Sequence, residues 1–188
     1  MNLMISETAL RHTPAATHAH ATVDTLSYAI GESALGQVLV ARSVWGVCAI
    51  LIGADHDKLE ADLAARFPQA KLVANEAVVH DDLAQVIRFV DKPADGLHLP
   101  LDLRGTPFQR RVWEKLRGIP VGRTVTYTEL ARWVGPLTSP RAVAGACASN
   151  PIALAVPCHR VVRSNGDLAN YRWGVERKRE LIRREATV

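Results

Sequence analysis

The stretch "PCHRVV" at residues 157–162 combines side chains that could carry nucleophilic chemistry, with Cys158 directly followed by His159. A cysteine reacts as its thiolate, and because its free pKa is about 8.5 it needs a nearby base, cation or helix N-terminus at neutral pH. His159 is the nearest base in the sequence. In an extended segment neighbouring side chains point to opposite faces, so proton transfer between the two would need a bridging water or a tight turn.

The alternative is that Cys158 is an inert core cysteine, which is the commoner state for a single cysteine. The proline before it and the polar His-Arg pair after it favour a reactive cysteine. A reactive Cys–His pair also needs a third group that holds the imidazole. The predicted C-terminal helix "VERKRELIRREA" offers three carboxylates, Glu176, Glu180 and Glu185, and the sequence pattern does not choose among them.

Three helices are predicted upstream of this stretch. The first lies in "TPFQRRVWEKLRGIP", residues 106–120. Thr126 and Glu129 have the spacing of a capping box, which makes Tyr127 the first residue of a second, short helix. Ser139 is the expected N-cap of a third helix, which ends at the Asn-Pro pair of "ASNP". Two short helices joined by a small turn predict a helix-turn-helix.

Between Arg141 and Asn150 the last of these helices reads "AVAGACAS", almost entirely small side chains. A helix that reads the major groove carries Arg, Asn or Gln side chains that reach base edges, and this helix lacks such a set. Small side chains let a helix backbone approach a narrow minor groove closely. Tight packing in the core is the competing interpretation. Arg141, near the helix start and in the basic half of the chain, favours DNA.

The first half of the chain predicts a small α/β scaffold. Strands are expected at "DTLSYAIGES", "GQVLVARS" and "GVCAILIG", helices at "DHDKLEADLAARFP" and "AVVHDDLAQVIRFVD", and a short extended piece at "LHLPLDL". Cys48 is expected to be a small buried hydrophobe in an apolar strand. "KPADG" is the best linker candidate. We therefore expect a flexible tail over 1–22, an α/β scaffold domain over 23–96 and a second domain over 101–188.

Charge is divided unevenly, because residues 1–100 carry 7 Lys and Arg against 12 Asp and Glu, whereas residues 101–188 carry 16 against 7. A basic second half is typical of a protein that meets a polyanion, although a solvated surface would give the same counts. Three cysteines without paired spacing indicate a reducing, cytoplasmic setting. No apolar run is long enough to span a membrane, and the N-terminus lacks a signal pattern. Histidines 12, 18 and 20 have no cysteine or carboxylate cluster beside them, so no metal site is expected.

"PCHRVV", preceded by "NPIALAV" and followed by "NYRWG", closely resembles the O6-alkylguanine-DNA alkyltransferases, the methylated-DNA–protein-cysteine methyltransferases. The resemblance runs from about residue 24 to residue 186. It looks closest to the C-terminal half of bacterial Ada-type members, through "LPLDLRGTPFQ", "YRWGVERK" and "LIRREA". It implies direct-reversal DNA repair, in which Cys158 irreversibly accepts the alkyl group of O6-methylguanine, and of O4-methylthymine, in DNA. The thioether product has no good leaving group at sulfur, so we expect one turnover per molecule.

The resemblance also implies roles for individual residues. His159, through a water, resembles the base that takes the thiol proton, and Glu185 resembles the carboxylate that orients it. Tyr127 resembles the tyrosine that helps to swing the nucleotide and protonates the guanine leaving group. Arg141 resembles the arginine that enters the base stack in place of the extruded base. Asn150 resembles the asparagine hinge between the recognition helix and the active site.

Two further sets of residues follow from the same resemblance. The small residues expected on the DNA-contacting surface, besides Arg141 and Asn150, are Ala142, Gly145, Ala148 and Ser149. The residues expected around the guanine pocket are Val161 and Arg172, through main-chain groups, with Asn170 and Tyr171. Residues 169–170 are Ala-Asn where Ada-type sequences have Ser-Gly, which is expected to alter the pocket's width and its tolerance for bulky alkyl groups.

The fold implied is an α/β N-terminal domain with a small ribonuclease H-like sheet, followed by a mainly α C-terminal domain with a winged-helix-like helix-turn-helix. The resemblance implies no cofactor, no metal and no membrane contact. The expected partner is double-stranded DNA carrying O6-alkylguanine, bound by a monomer through the minor groove.

Two other functions stay open. Alkyltransferase-like proteins bind the same lesions without repairing them, but they carry tryptophan where this chain has Cys158. A cysteine hydrolase with a Cys–His pair would turn over repeatedly and be indifferent to DNA. The zinc-cysteine and activator modules of longer Ada-type members, and the zinc ligands of the human relative, are not visible in the sequence. Transcriptional self-induction is therefore not expected.

Overall fold

The computed structural model describes residues 24–187, so the tail expected over 1–22, with its three histidines, lies outside the described residues. A four-stranded sheet in the order β3-β2-β1-β4 forms the first part of the fold. Its strands are β1 (Thr25–Ser33), β2 (Gly36–Ser43), β3 (Gly46–Gly53) and β4 (Lys71–Ala74). β1 and β3 are both antiparallel to β2, and β4 is parallel to β1. The sequence predicts the first three strands, whereas the four-residue β4 was missed.

Two helices cover this sheet, α1 (His56–Arg66) and α2 (Glu76–Asp91). Asp55 and Asn75 cap their N-termini, because each side chain accepts a hydrogen bond from a backbone N–H of the first turn. α1 packs mainly on β3 and α2 mainly on β1. The apolar residues between the sheet and these two helices belong to the core.

The second part of the fold is mainly helical. Its elements are α3 (Pro107–Arg117), β5 (Val125–Thr126), α4 (Tyr127–Val134), α5 (Pro140–Ala148), β6 (Val161–Val162) and α6 (Val175–Glu185). The predicted capping box over Thr126 and Glu129 is present, and Tyr127 begins α4 as expected. Ser139 caps α5, and its side chain accepts a hydrogen bond from the Ala142 N–H. α4 packs against α5, so the predicted pair of short helices is present.

The outer edge of β3 joins the two parts. Val47 exchanges backbone hydrogen bonds with the segment 100–102, which lies within the predicted extended piece "LHLPLDL". Further along the same edge, the Ile50 N–H donates to the Pro151 carbonyl at 3.0 Å, and the Ala153 N–H donates to the Ile50 carbonyl at 3.0 Å. Buried apolar side chains of both parts belong to one core. The sheet thus directly supports the segment that leads from α5 to Cys158.

Cys48 is buried in β3, as predicted. "KPADG" forms a 3₁₀ turn over Pro93–Asp95. In the described part of the chain, no helix has both the length and the apolar character that a membrane span requires.

Candidate active site

Cys158 lies in a 3₁₀ turn, Cys158–Arg160, directly before β6. The backbone at this point is a turn and not an extended segment. The Cys158 N–H donates to the Val156 carbonyl at 2.8 Å, and the Arg160 N–H donates to the Pro157 carbonyl at 3.0 Å. The backbone therefore closes on itself, which is the tight-turn alternative for bringing a thiol and a neighbouring imidazole to one site.

Asn150 holds this turn from the end of α5. It is fully buried, and its side-chain N–H₂ group lies within hydrogen-bonding distance of the Val156 carbonyl (2.8 Å) and of Cys158 Sγ (3.4 Å). Its side-chain oxygen accepts a hydrogen bond from the Ile152 N–H at 2.9 Å. Asn150 was predicted among the DNA-contacting residues, and the structure shows that its side chain is not exposed. Asn150 therefore lies between the end of α5 and the thiol and contacts both segments.

Glu185 is the carboxylate that meets His159. His159 Nε2 lies 2.8 Å from Glu185 Oε1, and both side chains are buried. Arg160 forms two further bonds to the same carboxylate, at 2.8 Å each. Burial alone would raise the pKa of Glu185, but the hydrogen bonds from His159 and Arg160 outweigh it and lower the pKa to about 2. Glu185 is therefore ionised. The other two candidates pair with arginines of their own helix instead.

The geometry assigns a neutral imidazole to His159. Burial lowers its pKa below the ordinary 6.5, against the opposing effect of Glu185. A neutral ring whose Nε2–H donates to Glu185 carries its lone pair on Nδ1. Nδ1 is buried and has no hydrogen-bond partner within residues 24–187. The atom that could accept a proton is thus free.

Cys158 is a thiol at rest. Burial raises its pKa, and the Asn150 hydrogen bond and the charge of Lys178 oppose that rise. The Lys178 ammonium is itself buried and donates to the Val161 carbonyl at 2.6 Å. Burial lowers the pKa of Lys178. The site therefore holds a thiol and a neutral base that become reactive only together.

A pocket of about 680 Å³ opens at Cys158. The predicted site residues that line it are Tyr127, Ala148, Cys158, Asn170, Tyr171 and Arg172. Val161 is fully buried behind the pocket and does not line it. Burial raises the pKa of Tyr127 to about 12, with smaller contributions from Cys147 and Cys158, so its phenol keeps its proton. Arg172 lines the pocket, but its guanidinium turns away and pairs with Asp62 of α1.

α5 presents two different faces. Val143, Ala146 and Cys147 are buried, and the Trp113 indole donates to the Ala146 carbonyl at 2.8 Å. The opposite, exposed residues are Arg141, Ala142, Gly145 and Ala148. A side chain built at Gly145 would meet nothing within 4 Å. The small residues on one face of α5 therefore allow close packing in the core. Those on the other face leave an open, flat surface. Ser149 is half-buried and bonds to Ala146 and Gln109.

Sequence reasoning missed Arg160, Lys178 and Cys147 as parts of the site. Arg160 follows the Cys-His pair directly, but nothing in its position predicts that it shares the carboxylate of Glu185. Lys178 had a detectable signal, because it lies three residues before the buried Leu181 and seven before Glu185, on one face of α6. Cys147 lines the pocket beside Cys158.

Comparison with known proteins agrees with this geometry. The family model described as "6-O-methylguanine DNA methyltransferase, DNA binding domain" matches residues 107–187. The bifunctional transcriptional activator/DNA repair enzyme Ada of Escherichia coli is 47% identical over 159 residues, which cover 85% of this chain and 45% of Ada. The chain spans about half the length of the curated relatives it matches.

Solved structures match over more of their length. A variant of the Mycobacterium tuberculosis O6-methylguanine methyltransferase superposes with a TM-score of 0.67 at 32% identity, covering 86% of this chain and 93% of that one. The Mycobacterium tuberculosis OGT in complex with DNA gives a TM-score of 0.66 at 28% identity, covering 87% and 93%. These matches show that the chain belongs to the O6-methylguanine-DNA methyltransferase family.

Proposed function

We propose that this protein repairs DNA by direct reversal, moving the alkyl group of O6-alkylguanine irreversibly onto Cys158. One observation carries the proposal: a thiol that lines a large pocket is followed in the chain by a buried imidazole whose Nδ1 has no hydrogen-bond partner within residues 24–187 and whose Nε2 is held by Glu185. Family membership supports the same activity. A cysteine hydrolase would need a site that releases its acyl product, whereas a thioether on Cys158 stays.

The chemistry balances without a cofactor. The Cys158 proton passes, through a water, to His159 Nδ1, while the sulfur attacks the alkyl carbon and the carbon–O6 bond breaks. The electron pair of that bond stays on guanine, which takes a proton from the Tyr127 phenol. Tyr127 is reprotonated from the imidazolium or from solvent. The products are unmodified guanine and an S-alkylated Cys158, so each molecule acts once.

The pKa values of Cys158 and His159 without substrate support a thiol that reacts only when substrate is bound. Transfer of a proton from a thiol of raised pKa to an imidazole of lowered pKa is uphill in the empty site. Glu185 favours the imidazolium and so reduces this cost. We propose that thiolate forms only as the alkyl carbon is captured, which protects Cys158 from unproductive reactions.

We propose that double-stranded DNA binds along α5 through its minor groove, with one protein molecule per lesion. The open surface at Gly145 supports close approach. Arg141 is exposed and pairs with no carboxylate among the described residues, so it is available to fill the base stack when guanine swings into the pocket. O4-methylthymine is the proposed second substrate, and the cytoplasm the proposed location.

The same proposal extends to the architecture. We infer that the sheet and its two helices form a ribonuclease H-like scaffold over residues 24–96, and that the helical part over 101–187 is a winged-helix-like DNA-binding and alkyl-acceptor domain. The bridges from β3 to Leu101 and to Ile152, which precedes Cys158, support a scaffold role in positioning. Asn150 is the proposed hinge between the DNA-binding helix α5 and the active site at Cys158.

A duplex with one O6-methylguanine, labelled in its methyl group, tests the function. We expect one equivalent of label on Cys158 and none on a Cys158→Ala variant that still binds DNA. Label on another residue, or catalytic release of the label, would contradict the proposal. Binding should weaken steeply with salt, because phosphate contacts release counterions. Binding without transfer would favour a lesion-recognition protein instead.

A further inference from the structure

The outer wall of the pocket is the segment 163–172, between β6 and α6. It supplies six residues of the pocket lining: Arg163, Ser164, Ala169, Asn170, Tyr171 and Arg172. Residues 163–167 close into a turn through their own hydrogen bonds. Within residues 24–187, no backbone N–H from 168 to 172 donates a hydrogen bond. This part of the wall is therefore not fixed by a backbone ladder.

The Tyr171 ring meets the His159 ring edge-on, with centroids 6.4 Å apart, and within residues 24–187 one long-range side-chain hydrogen bond also reaches the wall from another element. Arg172 Nη2 lies 2.6 Å from Asp62 Oδ1, across 110 residues of sequence. Asp62 belongs to α1, and its second oxygen accepts a weaker contact from Arg66 at 3.4 Å. The side chains of Arg172 and Asp62 are 39% and 29% exposed, so water reaches the pair.

A second hollow lies beside Arg172, the last residue of the wall. This hollow of about 390 Å³ separates α1 and the end of β3 from Arg172 and Trp173. The hollow is partly open to solvent and is not filled by any side chain of the described residues. An outward shift of the wall would therefore meet little steric resistance. The ion pair spans this hollow.

We propose that the Asp62–Arg172 ion pair is a tether that sets the width of the pocket, and with it the largest O6-alkyl group that the protein accepts. The inference rests on the proposed alkyl transfer. Wild-type protein closes the wall onto a small alkyl group, and release of the tether lets the wall move into the hollow. A half-exposed pair is weak, so the same wall yields partly to a bulky group without mutation.

Two duplexes test the tether, identical except that one carries O6-methylguanine and the other O6-benzylguanine. The measured quantity is the ratio of the benzyl to the methyl transfer rate. Asp62→Asn should raise this ratio about fivefold, the change in population that a pair of this exposure can supply. Asp62→Arg should raise it further, because two like charges then face each other. The double variant Asp62→Arg with Arg172→Asp restores the pair and should return the ratio to its original value.

Matched controls separate the tether from general loss of charge on α1. Asp57→Asn removes an exposed carboxylate from the same helix, and Arg66→Gln removes the other partner of Asp62; both should leave the ratio unchanged. An unchanged ratio in both Asp62 variants would overturn the proposal. An equal rise in Asp57→Asn would do the same.

A second measurement does not depend on alkyl transfer. Trypsin must withdraw the Arg172 guanidinium from Asp62 before it can cleave after Arg172. Cleavage there should be several-fold faster in folded Asp62→Asn than in folded Asp57→Asn. Equal rates would show that the pair does not hold the wall. Wild-type protein that accepts neither alkyl group would contradict the proposed function, and the trypsin result would still decide the tether.

Discussion

The pocket has two sides of different construction. On the inner side, the turn at Cys158 is fixed by Asn150 and by the buried cluster of His159, Arg160 and Glu185. On the outer side, residues 168–172 rely on side-chain contacts, and space lies behind them. The difference is functional: an attacking sulfur and its base need fixed geometry, whereas the surface that meets the alkyl group can tolerate movement.

The inner side is the more sensitive to mutation, and the largest effect is expected for Glu185→Gln. The change keeps the shape but removes the charge that Arg160 and His159 share. We expect transfer to slow on the order of 10²-fold, because the imidazole loses its orienting carboxylate. Unfolding free energy should fall by about 3 kcal/mol, since Arg160 is left as an unpaired buried cation.

Single-turnover transfer and urea denaturation measure the two effects. Glu176→Gln is the matched control on the same helix, because Glu176 is exposed and, within residues 24–187, pairs only with Arg179. Its rate and stability should stay close to wild type. If Glu185→Gln behaved like this control, the buried cluster would not be what fixes the inner side.

Substitution of one asparagine on each side of the pocket compares the two sides directly. Asn150→Ala removes the buried hydrogen bonds of the inner turn, including that to the Val156 carbonyl, and leaves the Ile152 N–H unsatisfied, which should cost about 2–4 kcal/mol of stability. Transfer should slow about tenfold if the thiol loses half to one ångström of placement. Asn165→Ala removes two exposed bonds to Asp167 in the outer turn. Its effect should be below about 0.5 kcal/mol.

The same experiments measure the contrast between the sides. Denaturation midpoints and transfer rates of the two asparagine variants should differ clearly. Equal losses would mean that the outer turn is as tightly determined as the inner one.

The pH dependence of transfer reports the protonation state of the inner side. Because burial lowers the pKa of His159, the imidazole stays neutral as the pH falls through 6.5, and transfer should not decline there. The acid limb should begin below pH 6.5. Transfer rates on the methylated duplex between pH 5 and 8, at constant ionic strength, measure it. A midpoint at or above 6.5 would show that His159 is not the buried, neutral base.

Much of the fold follows from local sequence signals. The capping box at Thr126 and the Ser139 cap fix where α4 and α5 begin, and alternating apolar residues locate three strands. The strand β4 has only four residues and no fully buried side chain, so it carries little periodic signal. Its place depends on parallel pairing with β1, which no local pattern encodes.

The site was predictable to a different degree. The Cys-His pair is visible in one motif, but residue spacing left three carboxylates open, and the resemblance selected Glu185. The structure brings Glu185 to His159 through the packing of α6. Contacts between distant segments, such as Arg172 with Asp62 and Ile50 with Pro151, have no counterpart in local sequence. Arg172 was expected only through its main chain, and its side chain has a separate partner.

The smallest expected effect lies on the outer side, at Ala169. Its φ is 58°, in the left-handed region that favours glycine. At this φ, a residue with a side chain destabilises the folded state by about 1 kcal/mol relative to glycine. Glycine has more conformational entropy in the unfolded chain, and this offsets part of the stability gained by the substitution. Ala169→Gly should therefore raise the unfolding free energy by at most about 0.5 kcal/mol. Urea denaturation measures this change.

The sign of the change in unfolding free energy in Ala169→Gly shows whether backbone strain or packing of the Ala169 methyl group dominates. Relief of backbone strain stabilises the protein, and the ratio of benzyl to methyl transfer should rise modestly because the wall also loses a methyl group. Glycine at exposed position 64, where Ala64 lies within α1, is the control and should destabilise by about 1 kcal/mol, since its backbone is helical. A similar loss of stability in Ala169→Gly would mean that packing of the Ala169 methyl group outweighs the backbone strain. The outer wall would then be more firmly held than its lack of backbone hydrogen bonds indicates.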